Sequence, residues 1–389
     1  MNEAASRWPT APPDGLIAAT LLSFLATAGL FYVNIMAALV AGLVDGLGLS
    51  NQDAGLVGSL NVYGAAAGAL LAVLIVKRVR WRPVAYGALL TLISLDTLSI
   101  FVSHAHPLMA LRFLHGCVGG LLVGVAFAVI ARTRTPARTF GMLLVVQFGL
   151  GGLGVMTLPK LVPIYGHGVL FEALIAFSLV TLAMVPFLDR YPTGRVARPA
   201  AADGRIRWGL LSFTLAAVFL FQAGNMGLAA YLIGLARHYG LGTDYASTAI
   251  GIATWIGIAG CGLVVVFGTR FGRTWPLLAG MILTLGGTLA FHWSASATIY
   301  LLANCLTSIT WSFVISYLLG MCAEFDQTGR TAALGGFLSK LGLASGPAAA
   351  AMMLGEQNYA LVINVSAIAL LISVPAMLIP ARQLDRVPN

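Results

Sequence analysis

The stretch HPLMALRFLHGCVGGLLVGVAFAVIA, residues 106–131, decides the fold. It is apolar over a length that, at 1.5 Å per residue, crosses a hydrocarbon core of about 30 Å. Arg132 and Arg134 follow at once, as basic residues do where a segment leaves lipid. In lipid every backbone N–H and C=O needs a partner within the segment, and only helices and closed barrels supply one. Working outward, comparable stretches fall at about 16–43, 54–76, 84–103, 139–162, 168–188, 209–236, 246–268, 275–293, 297–322, 331–354 and 358–380. The pattern predicts an all-α integral membrane protein of twelve transmembrane helices, with both termini on one side. The first stretch follows no basic leader and no clear small-residue cleavage site, so it is read as a retained membrane helix.

Composition agrees. Of 389 residues, 59% are hydrophobic and only 9% charged, and mean hydropathy is +0.91; a soluble domain carries about 25% charge. The helices and short loops use up the length and leave no room for a separate soluble domain. A formal charge of +9 would suggest nucleic acid in a soluble protein. Here the basic residues sit in short loops, so topology accounts for them and no nucleic-acid partner is expected. Cys117, Cys261, Cys305 and Cys322 lie in or at the ends of apolar segments without a CxxC pair, and read as packing residues. There is no GxxxxGK[ST] loop to cradle ATP and no HExxH or other ligand cluster. The expectation is a protein that is not an enzyme, needs no cofactor or metal, and draws on an ion or solute gradient.

Charge sets orientation. Lys77, Arg78, Arg80 and Arg82; Arg132, Arg134 and Arg138; Arg190, Arg195, Arg198, Arg205 and Arg207; Arg270 and Arg273; Arg330; and Arg7, Arg382 and Arg386 all fall on one face. The positive-inside rule makes that face cytoplasmic, and the chain is expected in the inner membrane with both termini inside. The polar segment DRYPTGRVARPAAADGRIR, 189–207, is the longest gap and reads as a linker between an N-terminal six-helix bundle, 1–188, and a C-terminal one, 208–389. The halves resemble each other at an offset of about 190 residues: Leu21-Leu22-Ser23-Phe24 matches Leu210-Leu211-Ser212-Phe213, KRVRWRP at 77–83 answers TRFGRTWP at 269–276, and PARTFG at 136–141 answers TGRTAALGG at 328–336. Such spacing implies internal duplication, with bundles related by a pseudo-twofold axis.

On these features the chain resembles the major facilitator superfamily of secondary transporters along its whole length. TRFGR at 269–273 resembles the family's DRxGRR loop, with Thr269 at the Asp position; KRVRWRP has Lys77 there. RFLHG at 112–116, with Gly119 and Gly120, resembles RxxQGxxxG on helix 4, with His115 replacing Gln. The resemblance implies gating at the basic loops, through Arg78, Arg270 and Arg273. With the loop Asp absent from both halves, the linker arginines or Glu324 and Asp326 are the candidates to complete the latch. It also implies a central cavity lined by helices 1, 4, 7 and 10. The helix-5 GP signature of drug/proton antiporters is replaced by QFGLGGLG at 147–154.

A charge at bilayer depth costs roughly 2.5–3.5 kcal/mol or more, so it pairs or faces water. Asp96 on helix 3 and Arg112 on helix 4 sit at similar depth in one hairpin and can pair. Arg112, His115 and Gly119 share a helical face. Arg112 can be structural or face the cavity; Asp96 and His115 are the candidate proton carriers. Lys340 lies near the middle of helix 11 with no acidic partner on that helix. Asp45 and Glu172 read as interfacial. Polar groups recur on helix 1 (Tyr32, Asn34), helix 2 (Asn61, Tyr63), helix 7 (Gln222, Asn225) and helix 10 (Asn304, Ser308, Trp311), either lining a site or bonding between helices. Glycine runs such as Gly64 with Gly68 and Gly257 with Gly260 read as close helix packing.

The functional expectation is a secondary transporter, working as a monomer by alternating access, with a small molecule, protons and the bilayer as partners. Arg112 and Lys340 favour a small organic anion, with Tyr32, Asn34, Gln222, Asn225, Asn304 and Trp311 as further contacts. Tyr32, Tyr63, Trp255 and Trp311 could wall an aromatic acid, and proton symport is the expected coupling. The alternative is proton-coupled efflux of drug-like or amphipathic compounds.

Overall fold

The computed structural model describes residues 10–13, 15–76, 79–133, 135–189, 191, 207–268, 270–325, 330–355 and 357–386. Helix dominates. Before the linker the α-helices are α1 (Leu16–Ala28), α2 (Phe31–Asn34), α3 (Met36–Leu47), α4 (Asn51–Ile75), α5 (Trp81–Ile100), α6 (Ala105–Ile130), α7 (Pro136–Tyr165) and α8 (Gly168–Met184). After it come α9 (Trp208–Ala229), α10 (Leu232–His238), α11 (Thr243–Ile256), α12 (Ile258–Phe267), α13 (Thr274–Ala290), α14 (Ala297–Glu324), α15 (Arg330–Leu354) and α16 (Tyr359–Asp385). Eleven helices among the described residues are long and apolar enough to cross a membrane, with α11 and α12 forming one span. This is a multi-pass membrane protein. Leu70, Leu74, Val265 and Ile368 are exposed, as lipid-facing residues are. Trp208 and Trp275 at the end with the basic loops, and Tyr165 and Trp293 at the other, are exposed aromatics at interface depth.

The stretch expected as one helix over 16–43 is instead three short ones. Gly29 ends α1 where its backbone meets α6: a Cβ there would lie 2.2 Å from the Gly119 carbonyl oxygen. The stretch 209–236 likewise divides into α9 and α10, and 246–268 breaks at Gly257. At the last break the Gly257 carbonyl accepts the Ser312 hydroxyl at 2.6 Å and the Gly260 N–H, only three residues on, at 3.1 Å, a tightened turn. The linker 189–207, apart from Asp189, Tyr191 and Arg207, lies outside the described residues, as do Lys77, Arg78, Thr269 and Asp326.

Glycine sets the closest packing. A Cβ on Gly64 or Gly68 of α4 would sit 2.1 Å from the Phe113 and 1.9 Å from the Cys117 carbonyl oxygen of α6; one on Gly116 or Gly120 of α6 would sit 1.9 Å from the Asn61 and 2.1 Å from the Ala65 oxygen of α4. Backbone therefore lies on backbone, the small-residue contact that association in lipid relies on. After the linker α15 repeats this on α9, where Gly342 and Gly346 abut the Phe219 and Ala223 carbonyls.

Two seams join α1–α8 to α9–α16. Along α4 and α15, Tyr231 donates to the Asn51 and Pro347 carbonyls at 3.3 Å each, and the Tyr63 and Ser345 hydroxyls meet at 2.8 Å. Along α7 and α11, Lys160 donates to Thr248 at 3.1 Å and the Trp255 indole to the Gly149 carbonyl at 3.0 Å. These bonds run from the middle of the helices toward the face opposite the basic loops.

Gly68→Ala should cost about 1–3 kcal/mol by forcing these backbones apart, and lower the melting temperature of the purified protein in detergent. Gly87→Ala, whose Cβ meets open space, should not lower it.

Candidate functional site

A cavity of about 490 Å³ lies between the two sets of helices. From before the linker it is walled by α2 and α3 (Asn34, Met36) and α7 (Gln147, Phe148); from after it, by α9 (Gln222, Asn225), α11 and α12 (Thr254, Cys261), α14 (Asn304, Trp311) and α15 (Ser339, Leu343). No charged side chain is among its lining residues.

At four positions the wall's hydroxyl hydrogens are spoken for. The hydroxyls of Thr254, Thr307 and Ser316 donate to carbonyls of their own helices at 2.7–2.8 Å, and Ser312 donates to Gly257. Each hydroxyl has one hydrogen, so toward the cavity these four offer lone pairs only. Asn225 and Asn304 each donate an N–H to the carbonyl four residues back, at 2.8 Å, and keep Oδ1 free. Trp311 Nε1 donates to Gln222 Oε1 at 2.7 Å, and Gln222 Nε2 donates to Ser339 Oγ at 2.7 Å. That chain fixes the indole plane, and Phe148 meets it edge-to-face from α7, ring centroids 6.2 Å apart. Asn34 Nδ2 is buried without a partner. The result is a neutral chamber, rich in acceptors, with an aromatic platform held still.

The charges expected beside it lie elsewhere. Arg112 and Asp96 are fully buried and joined at 2.6 Å. Arg112 also donates to the Leu95 carbonyl at 3.1 Å and to Ser99, and lies over the rings of Phe171 (5.0 Å) and Tyr32 (5.9 Å). Asn61 Nδ2 donates to the Arg112 carbonyl at 3.0 Å and to His115 Nδ1 at 2.8 Å, which leaves His115 Nε2 to face Asp96 Oδ1 at 3.3 Å. Asp96 Oδ2 and the Tyr32 hydroxyl are buried and unpartnered. The structure thus brings Asp96, Arg112 and His115 together, but behind the wall. Helix 4, now α6, supplies no lining residue: its glycine face is taken by α4, and its polar face by Asp96 and Tyr32. Arg112 and Tyr32, expected to face a solute, are therefore not among the residues that line the cavity.

Lys340 is half-buried and has no hydrogen-bond or ion-pair partner among the described residues. It is not a lining residue, although Ser339 and Leu343 beside it are. It lies five positions from Ser345, roughly 7.5 Å along the helix toward the basic loops, beyond the innermost bond of the α4–α15 seam. Asn34, Gln222, Asn225, Asn304 and Trp311 all line the cavity.

The family model of the Major Facilitator Superfamily matches residues 17–347. The chain belongs to this superfamily. Among solved structures, the crystal structure of a point mutant of the nucleoside transporter NupG is similar, with a TM-score of 0.69 and 13% sequence identity over 93% of this chain and 98% of that one. A search of curated proteins found no match.

In this superfamily member the loop TRFGR serves one half alone. Arg273 binds Glu324 (2.8 and 2.9 Å) and Asp385 (3.3 Å), and Asp385 caps α13 by accepting from the Arg273 and Thr274 backbone at 2.8 and 2.9 Å. All of these groups follow the linker, so here Arg273 pins α13, α14 and α16 rather than latching across the seams. Glu324, expected as a latch substitute, is its partner. Gly272 has φ +68°, and a Cβ there would press on the Asp385 carboxylate, which accounts for the glycine of the motif. Arg270 is exposed and Arg78 lies outside the described residues. Tyr63 and Trp255 bond across the seams instead of walling the cavity.

Gln147, Phe148, Thr254, Cys261 and Ser339 line the cavity and were not expected there. Gln147, a carboxamide inside an apolar run, carried a legible signal; the others look like ordinary helix residues.

Asp96→Ala or Arg112→Ala alone leaves a buried charge unpaired and should cost about 3–5 kcal/mol, whereas Asp96→Leu with Arg112→Met should cost far less. Melting temperatures of the three variants check this.

Proposed function

We propose that this protein is a secondary transporter, working as a monomer, in which two six-helix bundles, 1–188 and 208–389, rock about the linker 189–207 to expose one cavity to each face in turn. The basic face is the cytoplasmic one and the chain resides in the inner membrane. The solute is small, flat and rich in hydrogen-bond donors, neutral or cationic. A nucleoside, carried by the structurally similar transporter, is one example.

The neutral, acceptor-rich lining carries this reading. Taking an anion out of water requires a cation or several convergent donors, and the wall has no cation. A donor-bearing ring can instead stack on Trp311 and hydrogen-bond to Asn225, Asn304 and the hydroxyl oxygens. The same surface suits efflux of an amphipathic cation, since Trp311 and Phe148 present π faces. Proton coupling falls to Asp96 and His115, whose cluster contains an unpartnered carboxylate oxygen.

Lys340 favours a second reading. With Arg112 neutralised by Asp96, an organic-anion carrier would rest on Lys340, a half-buried cation with no partner among the described residues. Thermal-shift titration of the purified protein separates the two. Nucleosides and aromatic amines should stabilise it, by about 2.7 kcal/mol at a hundred times Kd; Trp311→Ala should abolish the shift and Lys340→Gln should leave it. Stabilisation by carboxylates only, lost in Lys340→Gln, would establish the anion reading instead. In proteoliposomes, Asp96→Asn should retain solute exchange and lose accumulation driven by a pH gradient.

A further inference from the structure

The bonds across the seams are graded by depth. The innermost, Tyr63 with Ser345 and Trp255 with Gly149, fall near the middle of their helices. The outermost is ionic. Asp45, in the last turn of α3, receives Arg237 from the last turn of α10: Nη1 donates to Oδ1 at 2.6 Å and Nη2 to Oδ2, a fork-to-fork contact. Nε donates to Thr243 Oγ1 at 2.8 Å, at the start of α11. Among the described residues this is the one ion pair that joins α1–α8 to α9–α16.

Each partner is fixed to its own side. Beside Asp45, Gly46 packs on His167 at the head of α8, where a Cβ would lie 2.8 Å from the His167 Cβ; on α10, Gly234 packs on Tyr359 of α16, where a Cβ would lie 2.3 Å from the hydroxyl oxygen. The carboxylate therefore travels with the helices before the linker and the guanidinium with those after it. Both side chains are partly open to water, 27% and 32% exposed, so hydration can replace the bond when they part. A pair of this kind holds a closed state without making it permanent.

We propose that Asp45–Arg237 is the lock that keeps the cavity shut on the face opposite the basic loops, and that its separation, with α10 leaving α3, is the step that admits solute from that side. This rests on alternating access but on no particular solute.

The native Cys261 reports the state of the cavity directly, since it lies on the wall. With Cys117, Cys305 and Cys322 replaced by serine, a membrane-impermeant thiol reagent is applied to sealed vesicles from either face. With the lock intact, labelling of Cys261 should come from the basic face. In Asp45→Ala or Arg237→Ala, labelling from the opposite face should rise by up to about fivefold, the population factor of a partly exposed ion pair, and labelling from the basic face should fall. The exchange Asp45→Arg with Arg237→Asp should restore the original sidedness. Asp45→Asn, of equal size, gives the same reading should the alanine variant not fold. Unchanged sidedness in the single variants, or an exchange variant that behaves like them, overturns the lock. No solute enters the assay, so its failure is distinct from failure of the proposed specificity.

Discussion

A full charge at the depth of a bilayer must either be matched or be wet, and that constraint arranges this molecule. Arg112 and Asp96 meet the first condition: they are enclosed, bonded to each other, and supported by Ser99, Asn61 and His115. Meeting it ties α5 to α6 and turns the polar face of α6 away from the chamber. The chamber wall is then left to helices that carry amides, hydroxyls and aromatic rings. Lys340 is left unmatched among the described residues. It stands half-buried where the α4–α15 seam ends, beside the wall residues Ser339 and Leu343.

Glycine sets how closely the helices lie. Where α4 meets α6, and α9 meets α15, main chains touch through positions that tolerate no Cβ. The α7–α11 seam has a contact of the same kind: a Cβ on Gly152 would lie 3.0 Å from the Gly251 oxygen, and one on Gly251 2.8 Å from the Gly152 oxygen. Around it the seams hold by hydroxyl, amine and indole hydrogen bonds, with one ion pair at the rim among the described residues.

Much of the architecture was legible because lipid imposes long apolar helices, and because basic loops punctuate them. The breaks at Gly29 and Gly257 were not: each stretch stays apolar through the break, and what meets it is a carbonyl or hydroxyl of another helix. The pairing of Asp96 with Arg112 could be read from their equal depth in one hairpin. Which way the pair faced could not, since it depends on α4 occupying the other side of α6. Asn34, Gln222, Asn225, Asn304 and Trp311 were legible as polar groups in apolar helices. Phe148 and Cys261 were not, because a lone aromatic or thiol in such a helix looks like any lipid-facing residue. Helix 5, carrying Gln147 and Phe148, lines the chamber in place of helix 4, a swap set by packing rather than by local sequence.

The back-bonded hydroxyls of the chamber have one more effect. Thr254, Thr307, Ser312 and Ser316 spend their hydrogens on main-chain oxygens, so a water against them donates and accepts nothing in return. The donors that close its network must come from elsewhere on the wall, such as the unpartnered Asn34 amide across the chamber.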